Sequence, residues 1–320
     1  MQTHKIGALP EWAFFTSITI VLFLALFYVP FFELLAKVLL PLPFVLLVLR
    51  LDTRYAALSL VVAGACLFYF APGYTPALLL FLPLGLLGIL FGLLYKNRVA
   101  PLVTLAAGLG LSALLTLLSA WLLDVVKGIK LFIIDQDSRI MLEQILTAYS
   151  NAGAFNNMSQ EMQSGLYEKV MNFYEIFLPG QYIIEGAFFA GLAYFMSRAM
   201  LGRMRYSLSP LPPFSEVRCP WYIVWSLILG LGLTLAGDYS AQPLVEKIGK
   251  NILFVFFYVY LVLGLSVVIY IARRIKIPGV FKAALLILGL IYLPFSITVL
   301  LLCGIVDPLT DLRNLPEADG

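Results

Sequence analysis

Long apolar runs separated by short polar or basic segments dominate the pattern along the chain. Each run is about 18 or more residues long, enough for a helix to cross about 30 Å of hydrocarbon. The pattern therefore predicts an all-α, polytopic transmembrane helix bundle of about nine spans. The spans cover residues 12–30, 31–49, 55–72, 76–95, 101–123, 178–198, 221–237, 252–272 and 279–303.

The second of these runs is the least regular. It carries Glu33 and Lys37 near its start, an i,i+4 pair in the orientation that favours attraction on a helix, and is interrupted by Pro41-Leu42-Pro43. A break within a span frees backbone carbonyls, which are tolerated only where protein or water satisfies them, and broken helices mark many transporter binding sites. A loop between a surface helix and a shorter span explains Pro41 and Pro43 equally well.

One long segment, residues 124–177, separates the fifth and sixth spans and contains two amphipathic helical patterns. The apolar positions of the second pattern are Met162, Leu166, Val170, Phe173 and Phe177. Asn157 is a candidate N-cap for this helix, with Gln160 three residues on. The segment is either a packed connector or a pair of helices that lie on the outer membrane surface and cap a cavity.

Small residues recur at helical spacing in the fourth span, at Gly85, Gly88 and Gly92. Such stripes let helices approach closely in lipid, where van der Waals packing holds bundles together. Ordinary packing within the bundle is one interpretation, and a docking surface for a partner membrane protein is the other.

Composition supports the membrane assignment and excludes several classes of protein. The chain is 62% hydrophobic and only 12% charged, with a mean hydropathy of +0.96, whereas soluble proteins carry about twice that charge. Its three cysteines are far apart and its one histidine is His4, a composition that favours neither a metal site nor histidine-based catalysis. No nucleotide-binding or hydrolase motif occurs in the sequence. We therefore expect no enzyme activity, no cofactor, no metal and no nucleic-acid partner.

The placement of basic residues predicts the orientation. With the N-terminus in the cytoplasm, every short cytoplasmic loop is basic, and the turn APGYTP on the outside is uncharged. Nine spans then place residues 200–220 in a cytoplasmic loop and 305–320 in an external tail. Arg203, Arg205 and Arg218 are candidate contacts for anionic lipid headgroups or a partner protein, although the ordinary positive-inside bias also explains them.

Glu185 is the clearest candidate for chemistry because it lies inside the sixth span. A charge near the bilayer centre costs at least about 2.5–3.5 kcal/mol on insertion scales, so Glu185 is expected to face the protein interior. Three interpretations stay open. Glu185 forms a structural ion pair, for instance with Lys37, or contacts a ligand in a cavity open to the outside, or couples proton movement to transport.

Four stretches together resemble the YybS-like family of bacterial membrane proteins, a family of unknown function. They are LPLPFVLLVLRL (40–51), GLLGILFGLLYKNR (85–98), LPPFSEVRCPWYIVW (211–225) and GIVDPLTDLRNL (304–315). The resemblance covers essentially the whole chain and implies a multi-pass protein of the bacterial cytoplasmic (inner) membrane. Its most specific part is 211–225, and Asp307, Asp311 and Arg313 fit the acidic and arginine ending of the family.

The N-terminal half of that family is similar, more distantly, to the substrate-binding S-components of energy-coupling-factor vitamin transporters. The likeness implies a six-span bundle over 1–199, with three further spans over 221–304. The alanines four apart that mark coupling in the first helix of S-components are absent from FFTSITIVLFLALFYV.

We expect a small-molecule binding or transport component without its own ATPase. Energy would come from an energy-coupling or other membrane protein partner or from an ion gradient, and the solute is unknown. The candidate ligand-binding residues are Glu185, Glu33, Lys37, Pro41 and Pro43. The alternative is a membrane scaffold or assembly factor, which would dock a partner through Gly85, Gly88 and Gly92 and through the basic cytoplasmic loops.

Overall fold

The computed structural model describes residues 5–29, 32–70, 75–127, 136–153, 160–275 and 278–313. Within these ranges the chain forms helices joined by turns and loops, with no strand. Two short 3-10 helices, Phe214–Glu216 and Trp221–Val224, precede α9. The α-helices are α1 (Lys5–Tyr28), α2 (Glu33–Leu39), α3 (Pro41–Arg50), α4 (Thr53–Phe70), α5 (Thr75–Lys96), α6 (Pro101–Lys127), α7 (Gln136–Asn151), α8 (Gln160–Arg203), α9 (Trp225–Tyr239), α10 (Pro243–Arg274), α11 (Gly279–Ile291) and α12 (Leu293–Thr310).

Six helices in the described part of the chain are long and apolar enough to cross a membrane: α1, α6, α8, α9 with its preceding 3-10 turn, α10 and α12. Three shorter apolar helices lie in α4, α5 and α11. The surfaces of the long and the short apolar helices carry many exposed Leu, Ile, Val and Phe side chains, as expected where the solvent is lipid. The predicted all-α class with several membrane-crossing helices is confirmed.

The helices divide into two compact units. Unit 1 comprises Met1–Ile133 and Tyr182–Leu211, and unit 2 comprises Ile134–Gln181 and Pro212–Gly320. This boundary differs from the sequence-based division, which grouped all of 124–177 with the first six spans. The second amphipathic pattern of that segment is also not a separate helix, because it continues into the sixth span as the single helix α8. The proposed N-cap Asn157 lies outside the described residues.

Side-chain hydrogen bonds fix the direction of α1 relative to α4 in unit 1. Trp12 Nε1 donates to the carbonyl of Tyr55 over 3.1 Å. One turn further along both helices, the hydroxyls of Thr16 and Ser59 lie 2.9 Å apart. The two helices therefore run parallel, and their buried polar groups satisfy each other.

The glycine stripe of α5 packs against α3. A Cβ on Gly88 would collide with the carbonyl oxygen of Pro41, and a Cβ on Gly92 would lie 2.7 Å from the Cβ of Val48. A Cβ on Gly85 would collide with Leu60 Cδ1 of α4 and lie 3.2 Å from the Phe44 ring of α3. Only glycine permits this approach, and the matched order of the contacts shows that α3 and α5 run parallel. The chain itself fills this face, which favours ordinary packing within the bundle as the role of the stripe.

Unit 2 is built on an antiparallel hairpin of α9 and α10. Gly237 meets the backbone of Glu246 at the closed end of the hairpin, and Gly249 meets the backbone of Thr234. Gly230, further from the turn, lies against Leu253. Small residues thus let the two backbones approach along the hairpin, as is usual for close helix pairs in lipid.

Asn251 of α10 holds the unit 2 part of α8 at its proline. Pro179 has no N–H and so leaves a helical carbonyl without its usual donor. One residue on, Gly180 N donates to Asn251 Oδ1 over 2.7 Å, while Asn251 Nδ2 donates to the carbonyl of Ile176 over 2.7 Å. The buried amide therefore satisfies backbone groups on both sides of the proline.

The helix α12 packs along α10 through two further glycines. Gly264 contacts the backbone of Leu300, and Gly304 contacts the backbone of Tyr260. Beyond them, the Tyr270 hydroxyl donates to the carbonyl of Arg313 over 3.0 Å. The C-terminal ends of α10 and α12 therefore lie together, and the two helices run parallel.

The last predicted span, 279–303, is two helices rather than one. The chain turns at Tyr292 (φ −100°, ψ 48°), just before Pro294, which has no N–H to continue α11. At 1.5 Å per residue, the 18 residues of α12 extend for about 27 Å. Since α10 and α12 end together, α11 must carry the chain back between them.

This extra reversal differs from the predicted topology. Arg313 Nη1 donates to the carbonyl of Ser215 over 2.8 Å, so the residues just after α12 lie on the same side of unit 2 as the loop before α9. The prediction places 200–220 and 305–320 on opposite sides of the membrane, whereas Ser215 and Arg313, one from each of these segments, are in direct contact within unit 2. The physical reason is the break at Tyr292, which a uniformly apolar run does not reveal.

Candidate functional site

The two charged residues singled out within the predicted spans meet in unit 1. Lys37 Nζ of α2 lies 2.9 Å from Glu185 Oε1 of α8. The lysine side chain is 18% exposed and the glutamate side chain 47%. Lys37 Nζ also lies 5.1 Å from the ring centroid of Phe189, one helical turn after Glu185. The ion-pair interpretation of Glu185 is confirmed, and the pair is asymmetric because only the ammonium is well covered.

The depth of the pair follows from helix geometry. Lys37 lies 13 residues before Arg50, and Glu185 lies 13 residues before Arg198. At 1.5 Å per residue, both distances are about 20 Å along the chain. Both residues therefore lie well inside apolar runs, far from the basic helix ends at Arg50 and Arg198.

Pro41 and Pro43 do not line an opening beside the pair. Leu40 has helical dihedrals and its N–H donates to the Ala36 carbonyl over 2.9 Å, so α3 starts directly after α2. Pro41 occupies the first position of α3, where no N–H donor is needed. Both prolines are buried in the core, which favours a structural role. Glu33 begins α2, but its side chain lies outside the described residues.

Two hydroxyls on α6 lie against α8 at Gly186, the residue after Glu185. A Cβ on Gly186 would be 2.9 Å from both Ser112 Oγ and Thr116 Oγ1, so the absence of a side chain at Gly186 leaves room for these groups. Thr116 Oγ1 donates to the Ser112 carbonyl over 2.9 Å. The sequence analysis did not single out these hydroxyls, although their i,i+4 spacing within an apolar span was a usable signal.

The three arginines predicted to contact lipid or a partner fall in different places. Arg203 is the last residue of α8 and Arg205 follows in the turn, and both are exposed in unit 1. Arg218 lies in the loop of unit 2 that precedes α9 and is partly buried. These residues therefore do not form one described surface.

Sequence reasoning missed a buried arginine site in unit 2. Arg313 and Asp307 are 1% and 4% exposed, and the guanidinium binds both carboxylate oxygens, with Nε–Oδ1 at 3.1 Å and Nη2–Oδ2 at 2.6 Å. Arg313 also donates to the carbonyl of Val217 and to the hydroxyl of Ser266. With the bond to the Ser215 carbonyl, the guanidinium makes five hydrogen bonds.

This network joins two of the four stretches that carry the family resemblance, 211–225 and 304–315. Ser266 Oγ donates in turn to the carbonyl of Phe214 over 2.7 Å, and Arg273 donates to the Ser215 hydroxyl over 3.1 Å. The 3-10 turn Phe214–Glu216 is thus held from both α10 and the end of α12. Because every guanidinium donor is used within unit 2, the site anchors a loop and leaves no free donor for a ligand.

Two loop residues outside the helices have shifted pKa values. A hydrogen bond from the Thr53 backbone N–H and the nearby Lys96 ammonium lower the pKa of the Asp52 carboxyl. Burial raises the pKa of the Cys219 thiol. Asp52 is therefore a stable anionic partner for Lys96 at neutral pH, and Cys219 is a weak nucleophile.

Comparison with known proteins agrees with the membrane assignment. The model of a family described as predicted membrane protein (DUF2232) matches residues 17–308. The chain is 25% identical over 319 residues to an uncharacterized protein, YybS, of Bacillus subtilis (strain 168), covering 96% of this chain and 97% of the relative. No solved structure matches significantly.

Proposed function

We propose that this chain, which belongs to the predicted membrane protein family DUF2232, binds a small polar solute at Lys37 and Glu185. It would move that solute across the bacterial cytoplasmic membrane without hydrolysing a nucleotide itself. The site comprises these two charges, the ring of Phe189 and the hydroxyls of Ser112 and Thr116. Pro41 and Pro43 are not part of it because they are buried in α3.

The observation that carries the proposal is the half-exposed carboxylate of Glu185 in a membrane-spanning helix. Ionisable side chains at this depth are costly and by default mark substrate or ion pathways. Glu185 bonds Lys37 through Oε1, and its side chain is 47% exposed. A carboxylate can accept about four hydrogen bonds. A cationic or hydrogen-bonding group of a solute can therefore bind Glu185 without a prior rearrangement of the protein.

The proposed topology places the basic ends of the helices in the cytoplasm. The chain then crosses the membrane ten times, with α2 and α3 together making the second crossing and α11 and α12 the last two. Both termini would lie inside. The contact between Arg313 and the loop before α9 supports this even number of crossings.

The likeness of the N-terminal half to S-components stays a prediction. Energy coupling through a membrane partner or an ion gradient is likewise proposed from the chemistry of the sequence. The chain carries no nucleotide-hydrolysis motif to supply the energy.

A membrane scaffold or assembly factor is the second candidate. The direct bond between Lys37 and Glu185 favours it, because each residue neutralises the other without a ligand. In that case the pair joins α2 to α8 and the working surfaces lie elsewhere. The two candidates differ in whether the pair must open for the protein to function.

The test is purification of the full chain from native membranes into nanodiscs, followed by mass spectrometry of extracted small molecules. Wild type is compared with Glu185→Gln and Lys37→Met. Glu143→Gln is the matched control, because it removes an exposed carboxylate from α7 in the other unit.

A metabolite that accompanies wild type and Glu143→Gln in stoichiometric amount, but is lost from Glu185→Gln, supports the transport site. Retention of that metabolite by both pair variants would place binding elsewhere. Recovery of lipids and protein partners alone from every sample would favour the scaffold.

A further inference from the structure

One end of unit 1 carries more positive charge than the chain neutralises. We call this surface the basic end and define it by the ends of α3, α5 and α8 and the starts of α1 and α4. Its two carboxylates are both in use, since Glu11 binds Arg50 over 2.7 Å and Asp52 binds Lys96 over 3.1 Å.

Besides Arg54, which lies near the Asp52 carboxylate, three arginines of the basic end are exposed. They are Arg98 after α5, Arg203 at the end of α8 and Arg205 after α8. Within the described ranges, none of the three has a side-chain hydrogen bond or ion pair. Arg198 differs, because it donates to the Ser209 carbonyl over 2.6 Å and lies against the Tyr194 ring.

The ends of α5 and α8 belong to the same surface. The Tyr95 hydroxyl, three residues before Arg98, lies 2.8 Å from the Ser197 hydroxyl of α8. The Arg50 guanidinium also interacts with the hydroxyl of Tyr206, next to Arg205. The free arginines therefore surround the two ion pairs instead of being scattered over the unit.

Arg98 and Arg205 share an unfavourable backbone conformation. Their φ angles are 52° and 60°, in the left-handed region that glycine adopts with least strain. Each follows a helix that ends in a Schellman motif, with Val99 N bonded to the Leu94 carbonyl and Tyr206 N bonded to the Leu201 carbonyl, both over 3.0 Å.

Glycine would close both helices with less strain, yet an arginine stands at each position. Attraction between a cation and the helix C-terminus offsets part of that strain. It does not account for the number of exposed guanidinium groups on a surface whose two carboxylates already bind Arg50 and Lys96. The basic end therefore carries net positive charge, which attracts anions from outside the chain.

We propose that the basic end of unit 1 binds the phosphate groups of anionic phospholipids, with Arg98, Arg203 and Arg205 as the principal contacts. A guanidinium group forms paired hydrogen bonds to phosphate oxygens. These arginines lie at the ends of membrane-crossing helices, which is the level of the headgroups. The inference does not depend on the proposed solute site.

The test uses the purified full chain in a zwitterionic detergent and measures bound lipid by native mass spectrometry. Phosphatidylglycerol is the anionic probe, phosphatidylcholine the zwitterionic control and inorganic phosphate the free anion. Wild type is expected to retain phosphatidylglycerol in preference to phosphatidylcholine. Inorganic phosphate at millimolar concentration should not displace it.

The key variant is the double substitution Arg98→Gly and Arg205→Gly. Each charge lost is expected to lower the affinity for phosphatidylglycerol about fivefold, or about 25-fold together. Thermal stability without added lipid should be equal to or above that of wild type, because glycine relieves the backbone. Arg98→Asn with Arg205→Asn is the second variant should the glycine protein not fold, since asparagine also tolerates this conformation.

Two controls separate charge from backbone strain. Ala241→Gly changes the same motif after α9, where φ is 53° and Gln242 N bonds to the Gly237 carbonyl, without removing a charge. Arg139→Gln removes an exposed arginine from α7 in unit 2. Neither should change lipid binding. Undiminished phosphatidylglycerol binding by the double variants, equal binding of both lipids by wild type, or displacement by inorganic phosphate would overturn the proposal.

Discussion

The two charged sites of this protein differ in how completely their donors and acceptors are satisfied. In unit 2, Arg313 and Asp307 are almost fully buried, and the guanidinium makes five hydrogen bonds. In unit 1, Lys37 and Glu185 share one contact, and the carboxylate is 47% exposed. The first site holds two chain segments in place, whereas the second retains acceptor capacity. In this protein the incompletely satisfied charge pair is therefore the better candidate for function.

The largest expected effect concerns the side of the membrane on which the Arg313 site lies. In a chain whose three cysteines are replaced, single cysteines at Glu216, Asp311 and Ser240 are labelled with a membrane-impermeant maleimide. Glu216→Cys and Asp311→Cys should react from the same side, because Arg313 bonds the Ser215 carbonyl. Ser240→Cys, at the opposite end of the α9 and α10 hairpin, should react only from the other side.

Labelling of Glu216→Cys and Asp311→Cys from opposite sides would instead support the nine-span topology predicted from the sequence. It would also show that the Arg313 network does not form in the membrane. The contrast between the buried Arg313 site and the half-exposed Lys37 and Glu185 pair would then no longer hold.

The next effect is on stability. Arg313→Met leaves the Asp307 carboxylate buried without its partner and the carbonyls of Ser215 and Val217 without a donor. Breaking a buried ion pair in this way destabilises proteins by about 3–5 kcal/mol. We expect a large fall in the thermal unfolding midpoint of the detergent-solubilised protein. Light scattering or tryptophan fluorescence would measure this midpoint.

The double variant Arg313→Met with Asp307→Leu is the control for that experiment. It removes both charges, so it should recover a substantial part of the lost stability. An unfolding midpoint equal to wild type in Arg313→Met alone would contradict the anchoring role.

The smallest effect is expected at the open pair. Glu185→Gln and Lys37→Met should each lower stability by less than Arg313→Met, because the half-exposed pair is joined by one hydrogen bond, whereas the Arg313 guanidinium makes five. The same thermal assay measures this, and the double variant tests the coupling between the two charges. A loss as large as that of Arg313→Met would make the pair structural and favour the scaffold over transport.

The sequence predicted individual helices well wherever a single apolar run forms a single helix. The predicted spans 55–72, 76–95 and 101–123 correspond closely to α4 (Thr53–Phe70), α5 (Thr75–Lys96) and α6 (Pro101–Lys127). Partition into lipid depends on the local run of side chains, so a local pattern suffices. The prediction of one span at 279–303 was wrong, because the residues on both sides of the break at Tyr292 are apolar. Pro294 was the only local signal of the break.

The candidate site was only partly accessible from the sequence. Lys37 was named as a partner for Glu185 because few charges of opposite sign lie within the apolar runs. Ser112 and Thr116 were missed because hydroxyls on a helix also bond their own backbone and need no partner. Arg313 was matched to a family pattern, but its contacts with Ser215 and Val217, almost one hundred residues away, have no trace in local periodicity.

The sequence alone determined that this is an all-helical membrane protein, because burial of apolar side chains in lipid is a property of each segment. It also identified the charges that lipid does not tolerate. Only the tertiary structure decided that α3 fills the glycine face of α5, that Asn251 supports α8 at Pro179, and that α12 ends beside the loop before α9. Apolar helix faces resemble one another in sequence, so their pairing depends on backbone approach and hydrogen bonds that exist only after packing.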